Sequence, residues 1–260
     1  MLRTTFKMAL RQTEGLMSSV LTLMNLTTTA PDHTRVSRRE QGLTAKKSTS
    51  TSTSTLAPKG PLHVLIDSTS LQVFGAGQWL EEKHGDKSHR TWRKLHLAVD
   101  AYTGMIVAQV LTDQHTDDSY QVVPLLDQVD KKIGKVTTDG AYDSTSTYRT
   151  VAQLGDDIAA VIPPRKTAVA GMDSRSPTQR DYHLEIINTQ GRLAWQDATG
   201  YDQRAFVETT MGRYKSIIGP RLRARGFKAR QIEAAIGVAV LNRMLEVGRP
   251  NSVRCQKVSA

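Results

Sequence analysis

A short apolar run, Leu62-His63-Val64-Leu65-Ile66-Asp67, constrains the fold of this chain more than any other feature. It has the length of a buried strand and ends in a carboxylate. Just before it, residues 48–55 alternate Ser and Thr without interruption, followed by Pro58 and Gly60. A tract of that composition buries no apolar surface and reads as a flexible linker. The chain therefore divides into a small helical segment at 1–45, a Ser/Thr-rich linker at 46–60, a main domain at 61–248 and a tail at 249–260. In the first segment, residues 8–26 carry apolar side chains at helical spacing, and Pro31-Asp32-His33-Thr34 breaks the pattern.

The main domain continues with a turn at Gly75-Ala76-Gly77 and a charged stretch from Trp79 to Arg90. Strands are predicted at Arg93–Asp100 and Met105–Thr112, paired as a hairpin, with Asp117 or Asp118 capping a helix from Ser119 to Lys132. A brief strand from Lys135 ends at Asp139, and Gly140 allows a tight exit. A helix at Ser144–Leu154, for which Asp143 is the expected cap, precedes a fifth strand at Ile158–Ile162 closed by Pro163-Pro164. Residues 165–185 read as an irregular excursion. Helices follow at 201–218, stopping before Gly219-Pro220, and at 229–247, stopped by Gly248 and Pro250. This order predicts an α/β domain: a mixed five-stranded sheet flanked by helices, whose functional side chains leave the core at strand ends.

The formal charge of +10 points to a polyanionic partner. Seven bases and no acid lie between Arg213 and Arg230: Arg213, Lys215, Arg221, Arg223, Arg225, Lys228 and Arg230. Such a cluster is the footprint of a nucleic-acid binder or, more plainly, a solvated basic surface. No run approaches the roughly 18 apolar residues of a membrane span, and no signal peptide is read at the N-terminus. The single Cys255 cannot pair internally, which fits a reducing cytosol.

Tyr201, Arg204, Glu208 and Lys215 follow one another at intervals of three, four and seven. On an α-helix they fall within an arc of roughly 60°. That face unites a carboxylate with groups that bind phosphate. Asp67 and Asp139 offer two further carboxylates. Cleavage of phosphodiesters by two divalent ions needs such a set of hard oxygen ligands. Taken singly, each aspartate is equally a turn former or cap, and Glu208 a solvated helix residue. His96 alternates with strand apolars and reads as structural, and His84, His89, His115 and His183 lack metal-ligand spacing. No Cys/His zinc motif, phosphate-cradling glycine loop or serine nucleophile elbow is present.

The four-residue spacing resembles the Y-(2)-R-(3)-E-(6)-K signature of bacterial insertion-sequence transposases. Ile66-Asp67-Ser68-Thr69 and Thr138-Asp139-Gly140-Ala141-Tyr142-Asp143 resemble the segments carrying that group's first and second aspartates. Gly75-Ala76-Gly77-Gln78-Trp79, the stretch from His89 to His96, and Ile162-Pro163-Pro164-Arg165-Lys166 resemble the insertion sequence 5 type. The resemblance implies a ribonuclease-H-like core with a catalytic triad of Asp67, Asp139 and Glu208 that binds two magnesium ions, for which manganese can substitute. It implies cleavage at transposon ends and strand transfer into target DNA. It places Tyr201, Arg204 and Lys215 on DNA phosphates, with Arg213, Arg221, Arg223 and Arg225 as further DNA contacts. The partners it implies are terminal inverted repeats and target DNA, with a homodimer left open and no membrane; the setting is the bacterial cytoplasm and nucleoid. Family members carry a longer helical DNA-binding region before the first aspartate than the 66 residues here. The chain thus reads as an N-terminally shortened copy. The competing expectation is a catalytically silent DNA-binding remnant or an inhibitor of transposition.

Overall fold

The computed structural model describes residues 1–42, 60–74, 92–155, 157–169 and 177–248. Its centre is a sheet of strands β1 (Leu62–Val73), β2 (Trp92–Asp100), β3 (Ile106–Asp113), β4 (Ile133–Thr137), β5 (Ala159–Val161) and β6 (Arg221–Leu222). The order is β3-β2-β1-β4-β5, and β6 also pairs with β1. β2 pairs antiparallel with both β1 and β3, whereas β4 and β6 join β1, and β5 joins β4, in parallel. This is the mixed sheet expected, flanked by helices, with one strand more. The sixth has two residues and sits inside the basic stretch, too short to show any periodicity.

Val64, Leu65 and Ile66 are fully buried, because both faces of the sheet are covered. Such strands read as unbroken apolar runs instead of alternating. Val64 and Ile66 pack with α4 (Val122–Leu126) and α5 (Thr145–Leu154). Leu65, Leu71, Leu95 and Leu97 pack on the other face with α7 (Ala205–Arg213) and α8 (Phe227–Val247). The N-terminal segment holds α1 (Leu2–Thr5), α2 (Leu10–Leu23) and α3 (His33–Gly42). The break at Pro31-Asp32 is the start of α3, where the Asp32 carboxylate accepts from the amides of Thr34 and Arg35.

Several expectations are corrected. β1 spans 12 residues, so Asp67 lies within the strand and not at its end; polar Ser68, Thr69 and Ser70 continue the ladder with β2. The helix expected at 119–132 is a 3₁₀ turn at Asp118–Gln121, capped by Asp117, and then the short α4. Asp143 does not cap α5. Ser144 does, accepting from the Thr147 amide. The irregular excursion at 165–185 gives way to α6 (Gln179–Thr199), opened by a capping box of Thr178 and Asp181 and kinked at Gly191, φ 87°. Thr178-x-x-Asp181 was a readable start signal. Gly75-Ala76-Gly77, Trp79–Arg90, residues 46–59 of the expected linker and the tail at 249–260 lie outside the described residues. Among the described residues no helix is long and apolar enough to cross a membrane.

The helix predicted at 201–218 is a composite: a 3₁₀ turn at Tyr201–Arg204, then α7, then a π-helical turn at Tyr214–Ile218. The wide π-turn drives the buried Tyr214 ring against α8, and a Cβ at Gly237 would meet the Tyr214 hydroxyl at 2.7 Å. Gly237 is thus the close-approach point between the two helices. Gly237→Ala is expected to destabilise the protein by about 1–3 kcal/mol, read as a lowered urea midpoint with an unchanged slope.

Candidate active site

The parallel register of β1 and β4 builds the site. Leu65 pairs with Thr137, the last residue of β4. Asp67 stands two residues further along β1, and Asp139 two residues past the end of β4 where the backbone is still extended, so the two-residue alternation of side chains sends both to one face. β4 stops there, and β6 pairs with β1 only from Gln72. Between them, among the described residues, this edge of β1 has no neighbour strand. Asp67 is therefore exposed to a site not by its own strand ending but by its neighbour's.

Glu208 comes from α7, which packs over the same face through Val207 and Met211. Arg204, one turn earlier, reaches all three acids. Its Nη2 donates to Asp67 Oδ2 at 2.8 Å and lies 3.8 Å from Asp139 Oδ2, while Nη1 donates to Glu208 Oε1 at 2.7 Å. The expected phosphate contact is thus turned inward, onto the carboxylates. Asp67 also accepts from the Ser68 amide at 2.7 Å, and Asp139 accepts from the Ala141 amide at 3.0 Å. Burial pushes the Asp67 carboxyl up to about 6, and the charges of Asp139 and Glu208 add to the rise against the Ser68 amide and Arg204.

Among the described residues no three Asp, Glu, His or Cys side chains are grouped closely enough to hold a metal ion. The guanidinium stands between the three acids instead. In chemical type the donors suit magnesium or manganese: three hard carboxylates from separate elements, all facing one guanidinium. His96 is structural, fully buried and bonded to the Thr112 hydroxyl at 2.9 Å.

The four-residue face runs over a 3₁₀ turn, a helix and a π-turn. Tyr201 stacks its ring 5.0 Å from that of Trp195 and lies close enough to Arg204, Asp139 and Asp67 to feel their charges. Lys215, in the π-turn, makes no ion pair with the three acids. Arg213 ends α7. Arg221 donates to Gln72 Oε1 at 3.1 Å, and Arg223 to the Lys7 carbonyl at 3.2 Å. Arg221, Arg223 and Arg225 line a cleft of about 990 Å³ between the N-terminal helices and α8.

A family profile described as "Transposase DDE domain" matches residues 58–243. The chain belongs to this family. A second profile with the same description matches residues 1–76 of this DDE-domain chain. Among solved structures, one described as "Cryo-EM structure of piggyBac transposase synaptic complex with hairpin DNA (SNHP)" aligns at 14% identity and a TM-score of 0.45, over 72% of this chain and 47% of that one. The DDE-domain chain thus spans about half the length of that transposase.

The turn that carries Asp139 has support that sequence reasoning missed. Arg165 donates to the carbonyls of Gly140 and Ala141 at 3.3 and 2.9 Å, and its amide donates to Asp143 at 3.0 Å. Arg180 grips the buried Asp143 carboxylate with Nε at 2.7 Å and Nη2 at 3.2 Å. No short-range spacing links Arg180 to Asp143, so no sequence signal announced the pair.

Two predictions follow from this geometry. Arg180→Ala leaves the Asp143 carboxylate buried and without its ion pair, and is expected to cost about 3–5 kcal/mol in urea unfolding. Asp67 has a raised folded-state pKa, so its contribution is present below its unfolded value near 3.8 and is lost as pH rises through about 6. Wild type is therefore expected to lose up to about 3 kcal/mol relative to Asp67→Asn between pH 4 and 7, measured by urea melts at both ends of that window.

Proposed function

We propose that this chain is a transposase that cleaves DNA at transposon ends and joins the freed ends to target DNA, with Asp67, Asp139 and Glu208 as its catalytic and metal-holding residues. The observation that carries the reading is the meeting of these three acids, from two strands and a helix, around the single cation Arg204. The finer assignment, to bacterial insertion-sequence transposases of the insertion sequence 5 type, rests on the Tyr201, Arg204, Glu208 and Lys215 spacing.

Asp67, Asp139 and Glu208 would hold two magnesium ions. When bound, these ions supply a deprotonated attacking oxygen and stabilise the leaving one. The chain's own work is to place and shield. β1 and β4 hold Asp67 and Asp139 at one level, and α7 brings Glu208 to them. Tyr201 and Lys215 offer a hydroxyl and a point charge to the flanking phosphates. In the first step water attacks phosphorus in line and the P–O3′ bond breaks, leaving a 3′-hydroxyl. In the second that 3′-oxygen attacks a target phosphodiester and its P–O3′ bond breaks in turn. No protein nucleophile takes part. The basic stretch, including Arg213, Arg221, Arg223 and Arg225, supplies salt-sensitive DNA affinity.

The deciding experiment is a strand-transfer assay with magnesium and DNA bearing the element's own inverted repeats. Asp139→Asn is expected to lose product by at least about 10³-fold while retaining DNA binding. Equal product from wild type and Asp139→Asn rejects the site. Salt-sensitive DNA binding with no product from wild type identifies a silent DNA-binding remnant or inhibitor instead.

A further inference from the structure

Arg204 is the sole cation among the described residues that pairs with Asp67, Asp139 or Glu208. One guanidinium charge faces three carboxylates, so the cluster is under-neutralised even with Arg204 in place. The guanidinium is also incompletely satisfied there: both Nη groups donate to carboxylates, while Nε is buried with no hydrogen-bond partner. A donor stranded in that way weakens the hold of this pose. The side chain is 21% exposed, so a path to solvent lies open beside it. A divalent cation seeks the same oxygens with twice the charge, and it cannot share their space with a guanidinium 2.7–2.8 Å away.

We propose that Arg204 is a resident counter-cation. It holds the three carboxylates together before metal arrives, competes with divalent metal for them, and on displacement swings out to a DNA phosphate. Metal entry thus transfers one guanidinium from protein carboxylate to DNA. Because the coupling is reciprocal, a phosphate that draws Arg204 outward also raises the metal affinity of the site. The inference rests on the assignment of Asp67, Asp139 and Glu208 as metal ligands and adds the order in which the site fills.

The test is titration of Mn²⁺ into the metal-free full chain without DNA, followed by the electron paramagnetic resonance signal of free Mn²⁺. Arg204→Gln is expected to bind about tenfold more tightly than wild type, a gain that a merely structural arginine would not produce. Arg204→Lys keeps the charge but not the two-pronged bridge; it is expected to fall between them, and it stands in should Arg204→Gln fail to fold by circular dichroism. Mn²⁺ binding that Glu208→Gln weakens but neither Arg204 variant tightens overturns the competition and leaves the metal-ligand assignment standing. Absence of Mn²⁺ binding in every variant overturns both. A second arm measures duplex DNA affinity by fluorescence anisotropy in Ca²⁺ and in EDTA at fixed ionic strength. The gain on adding Ca²⁺ is expected to be about tenfold larger in wild type than in Arg204→Gln, and equal gains overturn the transfer to phosphate.

Discussion

The parallel pairing of β1 with β4 is the constraint on which the site depends. It sets Leu65 against Thr137, and everything two residues beyond is then placed by the period of an extended chain. A slip of one residue would turn Asp67 to the opposite face, among the apolar side chains of α4 and α5. Because both faces are apolar around Val64, Leu65 and Ile66, the slip is expensive chiefly through the carboxylate it would bury. Where β4 ends, one edge of β1 runs on towards β6 while the other stays paired with β2, and the interruption in the sheet becomes the place where carboxylates meet.

A second constraint is electrostatic. Three acids crowd a partly buried spot, and burial, with the charges of Asp139 and Glu208, pushes Asp67 up to about 6. Arg204 offsets the crowding by bridging Asp67, Asp139 and Glu208 from the 3₁₀ turn that leads into α7. Its position is secured in turn by the packing of Val207, Met211 and Tyr214 under the helix. On the other side, Arg165 and Arg180 tie the Asp139 turn to α6 through Asp143. Arg180 and Arg204 are thus bound to carboxylates and Arg165 to carbonyls of the Asp139 turn, and Arg221, Arg223, Arg225 and Lys228 are exposed at the cleft lip.

Much of the fold was legible because its strands and helices carry strong local patterns. The hairpin of β2 and β3 and the last helix fall within two residues of where alternation and helical spacing put them. β1 was read six residues short because its second half is polar, held as strand by pairing with β2 and not by composition. α6 went unread because its apolar residues are few and a glycine interrupts it. Asp143 illustrates the limit for single residues. Its place next to a helix start suggested a cap, yet its carboxylate is claimed by Arg180, 37 positions later.

The amino-acid sequence by itself singled out the candidate side chains: Asp67 and Asp139 after apolar runs, and Glu208 among phosphate-binding neighbours. Those choices are local, since strand length, helix spacing and charge all act over a few residues. Only the tertiary structure decided how they meet. The level shared by Asp67 and Asp139 comes from strand register. The inward turn of Arg204 comes from the field of three acids, one of them 137 residues away in the chain. The π-turn that holds Lys215 goes with the close packing of Tyr214 on Gly237. Long-range pairing, charge crowding and close packing act between parts of the chain that have no fixed spacing, so no sequence period records them.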